Sequence, residues 1–496
     1  MRLLKLFALL LLPTYQVFAD STTAVSNYFN SIKTRPNALY AFLKEMPKGG
    51  ELHYHLAGGA YPETMLALAA KGDYCLDKQT FVMSKKVERC IGISASELTE
   101  TPLLYKQTIR AWSLQDFVAG QESSDEHFFA TFFKFMRVLA DYRPELLTEI
   151  MQRAANQHEL YLEVMMLPDN AKSTNFAPKE LNQDNFAAAR KDLLANKDFS
   201  NNIQFTVDET KRILQQARKN LGCETAPQQE VCNLTVKFQY YVLREQPLEK
   251  VFAQALNGFA AAANSQDLVS VNLVQAEDGI ISLRDYHKQM QVFKFLHQNY
   301  PNVHISLHAG ELAPGRVVPE NLRFHIQDAI LTGQAERIGH GVDISYEDKA
   351  EKLLQQMASD KIAVEINLIS NKKILNISGA QHPLNEYLLH RVPVVLSTDD
   401  EGVLRTDLTR QYVEAALNHH LDYPTLKMIS RNALTYSFLP GKSLWLNADE
   451  ATPQNACQNL NSPSCLQFVN ENEKAKLQRQ LELELDKFES SYAASS

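Results

Sequence analysis

No basic cluster interrupts this sequence, and no stretch beyond the first dozen residues is long and apolar enough to cross a bilayer. With a formal net charge of −8, the first lack excludes a nucleic-acid backbone as partner. The second excludes a membrane-spanning protein once any N-terminal leader is removed. Internal repeats and low-complexity segments are also missing, which excludes solenoids and scaffolds of biased composition. None of the six cysteines has the close spacing of a zinc finger, so they do not read as metal ligands.

What is present is a long chain with ample core: 496 residues, 45% of them hydrophobic. The N-terminus reads as a signal peptide. Arg2 and Lys5 precede the short apolar stretch Leu6 to Leu12, and Val17-Phe18-Ala19 fits a small-residue cleavage site. Cleavage near Ala19 starts the mature protein near Asp20 and exports it, to a periplasm or beyond. The structural alternative is a buried N-terminal helix. Three local cysteine pairs agree with export: Cys75 with Cys90, Cys223 with Cys232, and Cys457 with Cys465. An even count behind a leader favours disulfides. Nearest-neighbour pairing is the simplest of the connectivities, and six buried thiols are the alternative.

Eight short apolar segments alternate with helical patterns, which predicts βα units and an α/β fold, a closed (β/α)₈ TIM barrel. The strands are expected near Glu51–Leu56, Leu160–Leu167, Val236–Leu243, Leu268–Val274, His304–Ala309, Arg337–Gly341, Ala363–Ile369 and Pro393–Asp399. Helices are expected over Asp208–Leu221, Ser282–His297, Tyr346–Met357 and Arg405–His419. Two regions exceed a minimal barrel. Lys71 to Arg153 reads as a helical insertion after the first strand, carrying the aromatic run His127-Phe128-Phe129 to Phe135. The tail holds a charged helix, Asn472 to Phe488, expected as a solvated surface element. The organisation is thus 1–19 signal peptide, 20–440 barrel with insertions, and 441–496 C-terminal helical extension.

Four motifs fall at the ends of expected strands, where barrel enzymes place catalytic groups. In His53-Tyr54-His55 the two imidazoles, at i and i+2, share one face of a strand and would point into the barrel. In His308-Ala309-Gly310-Glu311, His308 offers a third nitrogen and Gly310 lets the backbone turn so that Glu311 faces the same cavity. A helix N-terminal acid is the structural alternative there. In Arg337-Ile338-Gly339-His340-Gly341, flanking glycines open space around His340, which could orient and deprotonate a water. A rim histidine satisfied within the barrel is its alternative. In Ser397-Thr398-Asp399-Asp400, adjacent carboxylates need a cation nearby, with Asp399 as a ligand and Asp400 free for substrate. Helix capping is the alternative for this pair. Together His53, His55, His308 and Asp399 suit one Zn²⁺ with room for a reactive water, whose pKa zinc lowers to about 7.

These four motifs, in this order, resemble the adenosine deaminase family. Met46-Pro47-Lys48-Gly49-Gly50-Glu51-Leu52-His53 is similar to the opening motif of its secreted growth-factor branch, and Glu365-Ile366-Asn367-Leu368-Ile369-Ser370-Asn371 to the family's seventh strand. The resemblance implies hydrolytic deamination of adenosine, and of 2′-deoxyadenosine, to inosine-type products and ammonia. It implies zinc on His53, His55, His308 and Asp399. Glu311 protonates purine N1, His340 and Asp399 hold the attacking oxygen, and Asp400 meets N7. Gly310 and the end of strand four belong to the substrate pocket. Two positions depart from the family. Ala57 stands where intracellular members commonly carry Asp near the ribose, and Gln275 stands where the pattern has Gly against the base. A homodimer built through Asp20 to Pro47 follows by analogy with secreted relatives.

Two other readings compete. A two-metal amidohydrolase would want a bridging lysine or acid near strand four, and Asn272-Leu273-Val274 offers no lysine. A non-catalytic secreted signalling protein would not be expected to keep the full set of ligands, acid and base.

Overall fold

Eight parallel strands follow one another around a barrel in the computed structural model, which describes residues 16–493. They are β1 (Lys48–His55), β2 (Glu159–Met166), β3 (Thr235–Leu243), β4 (Leu268–Val274), β5 (His304–Ala309), β6 (Arg337–His340), β7 (Ala363–Ile366) and β8 (Val394–Leu396). Each pairs in parallel with the next. The ring closes where Tyr54 bridges Asp399. There His55 N–H donates to the Asp399 carbonyl at 2.9 Å, and Asp399 N–H donates to that of His53 at 3.2 Å. The expected TIM barrel is the fold found. Residues 1–15, most of the expected signal peptide, lie outside the described part of the chain.

Two strand ends differ from expectation. The seventh strand stops at Ile366, and Leu368–Ile374 is a short helix. A brief apolar run such as Ile366 to Ile369 has no periodicity that separates strand from buried helix. The eighth strand stops at Leu396, because Asp399 takes a left-handed backbone, φ 66°, as the chain turns over the barrel mouth. The helix expected from Asp208 starts earlier, at Lys197, where the Asn196 side chain caps Asp198 N–H and Phe199 N–H. Its first half is polar yet partly buried. Thr206 and Thr210 satisfy their hydroxyls on the carbonyls four residues back, both at 2.8 Å.

The insertion after β1 is not purely helical. Tyr74–Leu76 pairs antiparallel with Met83–Lys85 and with Ile93–Ser94, and the Cys75–Cys90 disulfide ties this small sheet. The other two disulfides also join nearest neighbours. The helix Ser124–Asp141 then crosses the barrel mouth, its start fixed by a reciprocal Ser123–Glu126 capping box.

The C-terminal helix, Glu473–Ala493, corrects the expectation of a solvated element. Ala475, Leu477, Leu481 and Leu485 are buried. Glu489 accepts from Tyr423 (2.9 Å), Lys427 (2.6 Å) and Thr22 (2.8 Å). One face docks on Gln16–Ile32 and Tyr423–Thr435, and the acidic Glu482 and Glu489 on that side are paired, Glu482 with Arg431 at 2.6 Å. The buried Val25, Phe29, Leu39 and Phe42, in the segment expected to dimerise, belong to the same core as Leu481 and Leu485. Their apolar surface is therefore used within the chain.

At the barrel centre a charged network supports the site from below. Arg337, wholly buried, donates to Glu365 at 2.6 Å and Glu163 at 2.9 Å, and stacks on Phe438 at 3.8 Å. Arg337→Met would leave the buried Glu163 without its cationic partner and Glu365 with only His53 and Ser306. It is expected to destabilise the fold by about 3–5 kcal/mol, read from urea or guanidinium unfolding; a loss below 1 kcal/mol would contradict this network's role.

Candidate active site

The barrel's C-terminal mouth gathers the expected residues. One ligand atom each from His53, His55, His308 and Asp399 lies within 4.8 Å of the others, and Glu311, His340 and Asp399 form a second such group. Alternation along β1 puts His53 and His55 on one face. β5 delivers His308 from the far side of the barrel, and the β8 exit delivers Asp399.

The hydrogen bonds behind each ring show which nitrogen faces the centre. His53 Nδ1 lies 2.7 Å from Glu365 Oε2, which leaves Nε2 directed inward, buried and without a hydrogen-bond partner. His308 Nδ1 bonds Asn272 Oδ1 at 3.0 Å, so its Nε2 carries a lone pair toward His55 Nε2, 3.3 Å away. Asp399 Oδ1 sits 3.3 Å from His53 Nε2 and 3.2 Å from His55 Nε2, while Ser370 donates to Oδ2 at 2.8 Å. Lone pairs converging at these distances need a cation between them. Three nitrogens and one carboxylate, with His53, His308 and Asp399 held from behind, fit a divalent zinc-type ion.

The charges are sorted accordingly. Burial raises the Asp399 carboxyl, but hydrogen bonds from His53 and His55 outweigh it and hold the group well below the usual carboxylate range. Burial also works against a proton on His53, yet Asp399 and Glu365 lift its pKa to about 10; a bound cation would take that proton's place. His308 is pushed well below the ordinary imidazole value by burial and by the neighbouring histidines. Glu311 is shifted the other way: burial, then the negative charges of Asp399 and Glu277, keep its carboxyl protonated well above the usual range. Asp400 is raised for similar reasons, burial first and then Asp399. Two neighbouring carboxyls of opposite protonation is the pattern that acid catalysis needs.

Local backbone geometry aims these groups. Gly310 has φ 75° and turns the chain so that Glu311 enters the cavity, while Glu277 accepts from Gly310 N–H (2.9 Å) and Glu311 N–H (2.8 Å). Gly310, expected as a substrate contact, here steers Glu311 into the cavity. Gly58 allows close approach of another kind, since a Cβ there would collide with Asp400 Oδ1. Three non-glycine residues at the mouth adopt left-handed backbones: Gln275 (φ 81°), His340 (φ 71°) and Asp399 (φ 66°). Strain of this kind collects at functional sites. Gln275 thus keeps the backbone turn that a glycine would make without cost. Its amide oxygen accepts from Glu245 N–H at 2.9 Å, which ties the side chain to the cavity wall.

His340 is set by a relay. Leu384 N–H donates to His382 Nδ1 at 3.2 Å, so His382 Nε2 donates to Asn371 Oδ1 at 3.0 Å. Asn371 Nδ2 then donates to His340 Nδ1 at 2.9 Å. The His340 proton therefore sits on Nε2, which lies 3.7 Å from Glu311 and 3.8 Å from Asp399. Burial lowers its pKa to about 3, so the ring is neutral. In this tautomer His340 donates to an oxygen in the cavity; the expected removal of a proton from water needs the opposite one.

The cavity measures about 360 Å³. Its walls include His55, Ala57, Gln275, His308, Glu311, His340, Asp399 and Asp400, each expected from the sequence. No role was expected for its roof, where Phe128, Phe129, Phe132 and Met136 project from the helix Ser124–Asp141. Its signal was the aromatic run itself. Glu365, Asn272 and the Asn371–His382 pair were also missed as supports, because contacts between distant strands leave no local spacing to read.

Residues 110–445 match the family model described as adenosine deaminase. The chain belongs to the adenosine deaminase family. The matched region takes in His308, Glu311, His340, Asp399 and Asp400 but starts after His53 and His55, which the closing of the barrel brings to them. Adenosine deaminases from Klebsiella pneumoniae and Escherichia coli are 39% and 36% identical over 137 residues, which is 27% of this chain. The alignment spans 38% of the length of each relative. Among solved structures, Arabidopsis ADAL complexed with IMP superposes with a TM-score of 0.54 at 17% identity, covering 91% of this chain and 99% of that one. Adenine deaminase from Arthrobacter aurescens gives 0.53 at 16% identity, with coverages of 86% and 99%. At such identities these two likenesses establish the barrel alone.

Proposed function

We propose that the chain is a zinc-dependent aminohydrolase acting at C6 of adenosine, and of 2′-deoxyadenosine, to give inosine or 2′-deoxyinosine and ammonia. The observation that carries this reading is one cavity in which Glu311, His340 and Asp400 face a complete nitrogen-and-carboxylate ligand set. His53, His55, His308 and Asp399 would hold the ion, which supplies Lewis-acid activation of water at neutral pH.

The remaining chemistry belongs to the side chains. Protonated Glu311 gives its proton to purine N1, which draws electron density from C6 and opens it to attack by water. The His340 Nε2–H donates to the incoming oxygen and fixes its line of approach. Protonated Asp400, whose Oδ1 has no other hydrogen-bond partner, donates to N7. Of the two protons of the water, one restores Glu311 and the other goes to the amino group. The C6–N bond breaks, ammonia leaves, and the ring keeps a proton on N1 and an oxygen on C6. Phe128, Phe129 and Phe132 cover the base and exclude bulk water.

Export with cleavage near Ala19 is part of the proposal, supported by three disulfides among the described residues. Protein recovered from an exporting host is expected to begin at or near Asp20 by N-terminal sequencing. It should hold one zinc per chain and release ammonia from adenosine and 2′-deoxyadenosine faster than from adenine. Zinc-loaded protein that leaves every 6-aminopurine intact would refute the assignment, and an intact N-terminus would refute export.

A further inference from the structure

The catalytic cavity does not end at Ala57. A second chamber of about 230 Å³ adjoins it, and Ala57, Met136, Tyr241 and Leu243 line both. Beyond them its walls are chiefly aliphatic, with Leu139, Met166 and Leu167 prominent. Arg143 is the only charged side chain among its described lining residues. That guanidinium is already committed: it donates to the carbonyls of Ala140 (3.3 Å) and Leu167 (3.0 Å) and to the Asn170 side chain. The chamber therefore offers apolar surface and little open cationic capacity.

The orientation of a bound nucleoside decides what reaches it. With Glu311 at N1 and Asp400 at N7, the five-membered ring of the purine lies on the Asp400 side, and the sugar on N9 leaves past that carboxyl. Asp400 abuts the 56–59 segment so closely that Gly58 has no room for a Cβ. The sugar thus passes Ala57, whose methyl group offers no hydrogen bond to a 5′-hydroxyl. A 5′-hydroxyl directed at this largely apolar wall exchanges its water for few partners, Tyr241 and Asn170 bearing the polar atoms beside Arg143, whereas a 5′-thioether loses almost nothing and gains contact. Met136 and Met166 add soft, adaptable surface for sulfur and methylene groups.

We propose that the substrate class of this site extends to adenosines bearing an apolar 5′ substituent, 5′-alkylthio-5′-deoxyadenosines, and that the chamber beside Ala57 favours them over adenosine. The inference rests on the deaminase reading above. The reaction stays the same: water replaces the 6-amino group, ammonia leaves, and the thioether is untouched.

The test compares kcat/KM of the zinc-loaded mature protein for 5′-methylthio-5′-deoxyadenosine, adenosine and AMP. The methylthio compound is expected to exceed adenosine by roughly tenfold or more, the usual worth of a well-filled methyl-sized pocket. Ala57→Asp, which supplies a 5′-hydroxyl acceptor, should shift the ratio toward adenosine. Leu139→Phe, which narrows the chamber, should lower the ratio from the other side. If adenosine is deaminated and the methylthio compound is equal or slower, the inference fails while the deaminase reading stands. AMP faster than both would likewise overturn it, in favour of an anion-binding chamber. If no 6-aminopurine is deaminated, both fall. The wild-type comparison decides the matter even if a variant does not fold.

Discussion

Replacing Glu311 with Gln is expected to leave zinc bound and to lower kcat by about 10²–10⁴-fold, the usual range for loss of a positioned proton donor. The carboxyl contributes no atom to the ligand cluster of His53, His55, His308 and Asp399, so metal content should stay at one per chain. The Gln amide can still donate a hydrogen bond to N1, so KM should move much less than kcat, the mark of an interaction made mainly in the transition state. What it cannot do is transfer a proton. The pH profile gives a sharper readout. In the proposed mechanism Glu311 acts in its protonated form, and its pKa is held well above the usual carboxylate range by burial and the charges of Asp399 and Glu277. Activity should therefore fall on the alkaline side as Glu311 ionises, and Glu311→Gln should change that limb, leaving only the part set by the ionisation of Asp400. Unchanged turnover in the variant, or an unaltered alkaline limb, would remove Glu311 from the mechanism.

How much of this was legible in the sequence depends on how local each feature is. Strand positions were readable because branched apolar runs recur between amphipathic helices, and the barrel order follows from their succession. The candidate ligands were readable because His53 and His55 use the two-residue period of a strand, and His308 and Asp399 lie at or just beyond strand ends. The disulfides were readable because each pair is close in sequence. Other features depend on contacts that no local pattern encodes. Glu365 fixes His53 from across the barrel, and His382 reaches His340 only through Asn371. The C-terminal helix looked solvated because its charges dominate its composition, yet Leu477, Leu481 and Leu485 meet helices from both ends of the chain. His340 was read as a base from its residue type. Its tautomer comes from a backbone N–H, that of Leu384, two residues beyond His382. Gln275 looked like a loss relative to glycine, but the backbone turn survives at φ 81°.

His308→Ala tests the metal centre itself and should have the opposite signature to Glu311→Gln. His308 is the one candidate ligand from β5, and its orientation is fixed by Asn272. Losing a supporting hydrogen bond behind a ligand typically weakens metal binding by roughly 10–100-fold, and losing the ligand should do more. The variant is expected to purify with little or no zinc and to lose activity. Stability gives a readout that does not depend on turnover. An ion held a thousandfold above its dissociation constant stabilises the folded state by about 4 kcal/mol, so a chelator should lower the melting temperature of the wild-type protein markedly. Glu311→Gln should show the same chelator-induced drop, because its ligand set is intact. His308→Ala should show almost none, having no ion to lose. Stoichiometric zinc in His308→Ala, or a full chelator response, would mean that the ion sits elsewhere and that the convergence of His53, His55 and Asp399 on His308 serves only to pack the barrel mouth.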